Sequence, residues 1–212
     1  QAQLGLWINQ LDGNFAEAGG VDWPALEADE VVLVTDIDGS GTLDILRADT
    51  DGSQPWRAWS VFPERPGLLA RFENGLGYSR EHTYRSAAQL AAEDAAAGAP
   101  WPSTPPSAAI VLVDAVESDG DAWTRTTQYH PKGGWHDPER GELRGYAEHT
   151  AVRDGDNYSN TAIVTRRYDL GREDEARGLQ LLEETTADPD GVLVRTVHTV
   201  ETETPLAGIR VA

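Results

Sequence analysis

The 212-residue chain has no cysteine. Disulfides, thiolate metal centres, iron–sulfur clusters and cysteine nucleophiles are therefore excluded. No apolar run approaches the roughly 18 residues of a membrane-spanning helix. Lysine is nearly missing: Lys132 stands alone, and every other one of the 17 basic residues is arginine. Positive charge is scarce as a whole, with 36 acidic residues and a formal net charge of −19. Such a field repels phosphate, so nucleic acid is not an expected partner. The chain also lacks a Gly-x-Ser-x-Gly elbow, a P-loop and a glycine-rich turn between strand and helix. No nucleotide or flavin cofactor is expected on that ground.

What is present has a globular balance, with 39% hydrophobic and 25% charged residues. The length suits one domain spanning Gln1 to Ala212, large enough to bury a core without staples. The chain opens on Gln1-Ala2-Gln3, a start that cleavage at a small-residue site leaves behind. This points to a secreted or periplasmic protein, although a chain without cysteine is equally at home in a cytoplasm. The sequon Asn157-Tyr158-Ser159 has meaning only in a eukaryotic secretory pathway.

Hairpins dominate the pattern. Residues 30–35 and 43–47 flank Asp38-Gly39-Ser40-Gly41, and residues 108–116 and 123–129 flank Ser118-Asp119-Gly120-Asp121. Residues 143–152 and 161–168 flank Asp154-Gly155-Asp156-Asn157, and residues 179–186 and 192–201 flank Asp188-Pro189-Asp190-Gly191. Asp and Gly supply the local side-chain bonds and positive φ that tight turns require. Val, Ile, Thr, Tyr and Trp crowd the flanks, as pleated surfaces prefer. Further strands are expected at 55–62, 67–73 and 77–85. One helix is expected over Ser86 to Ala97, with Ser86 as N-cap and Gly98 as stop, and a short helical turn over Trp23 to Ala28. The run from Ala99 to Pro106 reads as a stiff connection.

These elements predict a mainly β protein: an antiparallel up-and-down meander with one α-helix near 86–97. Closure into a barrel or half-barrel would remove the sheet edges; a two-sheet sandwich is the competing arrangement. Gly5-Leu6-Trp7 resembles the Gly-x-Trp signature of the lipocalin and calycin barrels. That resemblance implies that Trp7 plugs one end of a barrel beneath a late-strand arginine, Arg195 or Arg210.

The most specific motif is Asp36-Ile37-Asp38-Gly39-Ser40-Gly41-Thr42-Leu43-Asp44. It resembles the calcium loop of FG-GAP repeats, Asp-x-Asp-x-Asp-Gly-x-x-Asp. Alternate oxygen donors in a tight loop suit Ca2+. Asp36, Asp38, Ser40 and Asp44 would offer side-chain oxygens and Thr42 its carbonyl, making Ca2+ the one cofactor expected, in a structural role. Ser40 replaces the third carboxylate, and Arg47 stands where an EF-hand has its bidentate Glu. The plain alternative is an Asp-capped turn.

Period two places Tyr78, Arg80, His82 and Tyr84 on one face of a strand. It does the same for Trp123, Arg125, Thr127 and Tyr129 on another. Tyr146 and His149 lie on opposite faces of a third. A dry core rejects such Arg and His, so these faces are either solvated or line a ligand cavity. Taken as a cavity, Tyr78, Arg80, Trp123, Arg125 and Tyr146 would bind a small, partly apolar molecule bearing an acidic or carbonyl group. Alternatively, His82, Tyr84 and Tyr129 would move protons in a lyase, cyclase or isomerase on the same scaffold. A third reading is an extracellular structural module stabilised by calcium. The stretch Tyr129 to Asp137, with His130 and His136, reads as a glycine-bearing loop between hairpins. Oligomeric state has no signature in the sequence.

Overall fold

The computed structural model describes residues 2–10, 12–23, 29–52, 55–62, 65–106, 108–120, 122–155, 160–172 and 179–199. The sequon and Arg210 lie outside them, as does nearly all of the helical turn expected after Trp23. The described residues are mainly β, every paired strand is antiparallel, and there is one helix. Contacts divide the chain into two units: residues 1–37 with 43–61, and residues 38–42 with 62–212.

The first unit holds two small sheets. Strands β1 (Ala2–Asn9) and β2 (Phe15–Trp23) form a hairpin with a bulge at Leu6/Trp7. Trp7 is 57% exposed, and its ring lies over Gly5, leaving no room there for a Cβ. The Gly-x-Trp spacing thus serves a local ring-over-glycine contact, and the plug expected from the lipocalin resemblance is not formed. Strands β3 (Glu30–Thr35), β4 (Asp44–Asp49) and β5 (Arg57–Ser60) make a three-stranded sheet with β4 in the middle. Their ladder runs from Glu30 opposite Asp49 to Thr35 opposite Asp44. Leu46 and Ala48 of β4 are buried, and so is Arg47. The Arg47 guanidinium forks onto the Glu30 carboxylate through Nε, 2.5 Å from Oε1, and Nη2. A charge in a central strand persists only with such a partner.

The second unit is one eight-stranded meander. Its strands are β6 (Arg71–Glu73), β7 (Tyr78–Ser86), β8 (Ile110–Asp119), β9 (Trp123–Asp137), β10 (Glu142–Arg153), β11 (Ala162–Asp169), β12 (Gln180–Ala187) and β13 (Leu193–His198). Spatial order follows chain order from β6 to β13, and among the described residues β13 does not return to β6. The sheet is open, which corrects the expectation of closure into a barrel. Closure is one remedy for exposed edges; charge and shortness are another. Edge strand β6 has three residues, and its Arg71 bridges Glu73 and, at 3.0 Å, Glu81 of β7. The opposite edge carries Arg195 and His198, both exposed.

Helix α1 (Ala87–Ala96) follows β7 directly. Ser86 caps it, its Oγ accepting from Gln89 N at 3.1 Å and donating to the Gly39 carbonyl. Ala97 is the C-cap, and Gly98 takes φ +84 beyond it, as a helix stop commonly does. Alanine lets α1 approach the sheet closely: Ala87 and Ala91 are buried with Trp101, and Leu90, Ala109, Val111 and Tyr146 pack around them. The proline-rich segment 99–106 is therefore part of the core and is no free linker. Trp101 is held by its indole N–H, which donates to Asp94 Oδ2 at 2.6 Å, and by an edge-on contact with Tyr146 at 5.6 Å.

Candidate functional site

Three places carry the chemistry that the sequence singles out. The first is the sheet face that carries Tyr78, Arg80, Trp123 and Arg125. The alternation of β7 and β9 brings most of the expected residues there. Tyr78 donates to Glu117 Oε1 at 3.0 Å and stands 6.4 Å, ring to ring, from both Phe72 and Trp123. Burial, then this bond to a carboxylate, raises the Tyr78 pKa above the usual phenol value. Arg80 reaches Glu117 at 3.6 Å and donates to the Tyr129 hydroxyl at 3.3 Å. The Arg125 guanidinium lies 5.3 Å from the Trp123 ring centre. Tyr129 meets His149 at 5.7 Å. Burial, then the charges of Arg166 and His130, push the His149 pKa down.

This face is half-buried, and cross-strand ion pairs and ring contacts hold it together. Such pairs stabilise a sheet with no ligand present. Tyr146 is not part of it. It packs on the α1 side with Trp101, and burial raises its pKa to about 12. The expected acid–base trio is divided as well. His82 and Tyr84 line a cavity of about 300 Å3 with Arg65 and Arg85, whereas Tyr129 lines another of about 370 Å3 with Asp114 and Lys132. In the first cavity Tyr84 donates to the Leu69 carbonyl at 3.1 Å, and His82 Nδ1 is buried without a hydrogen-bond partner.

The second place, Tyr129 to Asp137, is strand and not loop: all nine residues lie in β9. Pro131 sits opposite His149 of β10, beyond the stretch of β9 that pairs with β8. Its missing N–H is tolerated there because only one neighbour needs bonds. Gly134 is opposite Tyr146 and faces Trp101, where a Cβ would stand 2.5 Å from the indole. His130 is exposed, and the backbone N–H of His136 donates to Ser103 Oγ at 2.6 Å.

The third place is the β3–β4 connection. Asp36, Asp38 and Asp44 fall within nine consecutive residues of it. Asp44 is 1% exposed, and its Oδ2 accepts from Ile37 N at 3.0 Å. Its Oδ1 is buried with no hydrogen-bond partner. Asp38 Oδ1 accepts from Ser40 N at 2.8 Å. The hydroxyls of Ser40 and Thr42 bond to each other at 2.9 Å, and Thr42 donates onward to the Phe62 carbonyl at 3.0 Å. Gly39 and Gly41 take positive φ, +70 and +86, at the tip.

One feature was missed by sequence reasoning. Val31, Val32, Leu33 and Val34 of β3 are all exposed, Val34 by 64%, on a strand that among the described residues is paired on one side only. An unbroken apolar run is the signature of a strand covered on both faces, and that signal was available in the sequence.

A family model described as the insecticide toxin TcdB middle/N-terminal region matches residues 12–172. No curated protein matches the chain. Among solved structures, a TcdB2–TccC3–Cdc42 crystal structure is similar with TM-score 0.71 and 16% identity, over 88% of this chain and 12% of that one. A Photorhabdus luminescens Tc holotoxin pore structure gives TM-score 0.72 and 17% identity, over 88% of this chain and 11% of that one. A TcdB2–TccC3 crystal structure gives 0.71 and 16%, over 88% and 12%. The chain thus spans about an eighth of the structures that it resembles. These findings, with the open sheet, overturn the expected small-molecule barrel with its lyase, cyclase or isomerase alternative. The chains it resembles were solved in complexes with other proteins, so a small molecule as the expected partner is corrected too.

Proposed function

The chain belongs to the family of the insecticide toxin TcdB middle/N-terminal region, and from that premise we propose that it is a structural segment of a TcdB-type toxin subunit. Its task is to present open antiparallel sheet that further parts of the assembly continue and cover. The observation that carries this reading is the exposed Val31 to Val34 run on an edge strand. A soluble protein blunts such an edge or buries it. The β6 edge is blunted by charge, whereas β3 is not, and coverage by protein is the remaining remedy. The half-buried aromatic and arginine face has the same character: rings and guanidinium groups that pair with each other and leave contact area for a neighbour. Export from the producing cell is part of this proposal.

Single-cysteine labelling tests it, because the chain has no cysteine of its own. Val34→Cys in the full toxin subunit is expected to react with a maleimide more slowly than Leu76→Cys, a site that is 87% exposed, because burial shields a thiol from the reagent. Equal rates at the two positions would refute coverage of β3.

A further inference from the structure

We infer that one face of the eight-stranded sheet is a docking surface for an acidic segment of a protein neighbour, held by a band of arginines. Residues directly opposite each other in an antiparallel ladder share a face, as do residues two apart on a strand. Arg80 is opposite Glu117, and Glu117 is opposite Arg125. Two residues along β9 from Arg125, Thr127 is opposite Arg153. Four residues back along β10, His149 is opposite Arg166, which is opposite Glu184. Two residues beyond Glu184, Thr186 is opposite Arg195. Arg80, Arg125, Arg153, Arg166 and Arg195 thus cross from β7 to β13 on one face. The acids in the same rows are Glu117, Glu184 and Asp119, the last opposite Tyr78.

Charge decides the occupant. Over the whole chain 36 acids stand against 17 bases, whereas in this band arginines outnumber acids. Glu117 and Glu184 already engage Arg80 and Arg166, at 3.6 and 2.7 Å. Arg153 and Arg195 are exposed. His149 registers the local field, since burial and then the charges of Arg166 and His130 push its pKa down. An excess of guanidinium groups complements carboxylates, which arginine grips in a planar fork. Trp123, 5.3 Å from the Arg125 guanidinium, adds the ring area that protein interfaces favour beside arginine. The band crosses seven strands, on the order of 30 Å at the usual strand spacing, which suits a polypeptide segment and exceeds a small molecule. Nucleic acid, the other polyanion, is repelled by the acidic remainder of the chain. The inference rests on the reading of the chain as a segment of a toxin subunit, and β3 plays no part in it.

Zero-length carbodiimide coupling in the assembled toxin is the test. The reagent joins an amine to a carboxylate in contact with it, and Lys132 is the one lysine of this chain. Arg153→Lys and Arg195→Lys keep the charge at exposed positions, so the fold is retained. Each is expected to give, by peptide mass spectrometry, a new amide to an Asp or Glu outside residues 1–212, absent from wild type. Arg71→Lys is the control: it lies opposite Glu81, off the arginine face, and beside Glu73. It is expected to couple within this chain only. Coupling at Arg153→Lys and Arg195→Lys that is confined to carboxylates of residues 1–212 would overturn the proposal. So would no coupling there, the result that an apolar cover or a nucleic acid would give. If Val34→Cys labels slowly while neither lysine variant couples outward, the subunit reading stands and this face alone is reassigned. Outward coupling with fast labelling of Val34→Cys would uphold this face and leave β3 uncovered.

Discussion

His149 shows how a single residue registers its surroundings. It sits beside Tyr129 and across the ladder from Arg166. Burial first, then Arg166 and His130, lower its pKa below the ordinary value of 6.5. Between the folded and unfolded values the unfolded chain binds more protons, so stability rises with pH in that window. The contribution is fully present above about pH 6.5 and is lost as pH falls through the folded value. His149→Gln is therefore expected to flatten the stability profile between about pH 7 and pH 5, measured by chemical denaturation at a series of pH values. An unchanged slope would mean that another group titrates there. Arg47 and Glu30 illustrate the complementary case, a buried pair whose charges serve each other. The polarity of these residues was legible from period two, because alternation along a strand is local. Whether Arg80 faces a ligand or Glu117 was not, since that depends on which strand lies alongside.

At the scale of elements, what could be read from the chain was what nearest neighbours decide. The Asp-Gly turns with β-branched flanks predict the hairpins β3–β4, β8–β9, β10–β11 and β12–β13, and all four form. Ser86 and Gly98 bound α1 as their chemistry requires. One failure came from residues that break structure locally and were excused by tertiary packing. Pro131, Gly133 and Gly134 suggested a loop, yet β9 runs through all three. Gly134 is there because Trp101 occupies the space where its side chain would be. Gly134→Ala is accordingly expected to displace the indole and destabilise the protein by about 1–3 kcal/mol, the usual range for overpacking. Equilibrium denaturation measures it, and a loss confined to a few tenths would show that the ring moves aside freely. The β1–β2 hairpin was missed because its strands carry few β-branched residues.

For the whole molecule, the expected barrel and the observed open sheet have the same local pattern and differ in how the edges are treated. Closure hides edges within one chain; an open sheet leaves them to charge or to a neighbour. The β6 edge uses charge, through Arg71, Glu73 and Glu81. Strand β3 has four exposed apolar residues in succession and no such guard along them. The proposed cover is a protein neighbour, in keeping with a chain that spans about an eighth of the structures it resembles. On the proposed reading, the open sheet and its uncovered strand are contact surface for a protein neighbour. Hydrogen exchange across Val31 to Val34 in the assembled toxin tests this most directly. Amides of β3 that are protected to the same degree as those of central strand β4 are the predicted result; β3 amides that exchange as fast as the exposed turn at Asn74 to Gly77 would contradict it.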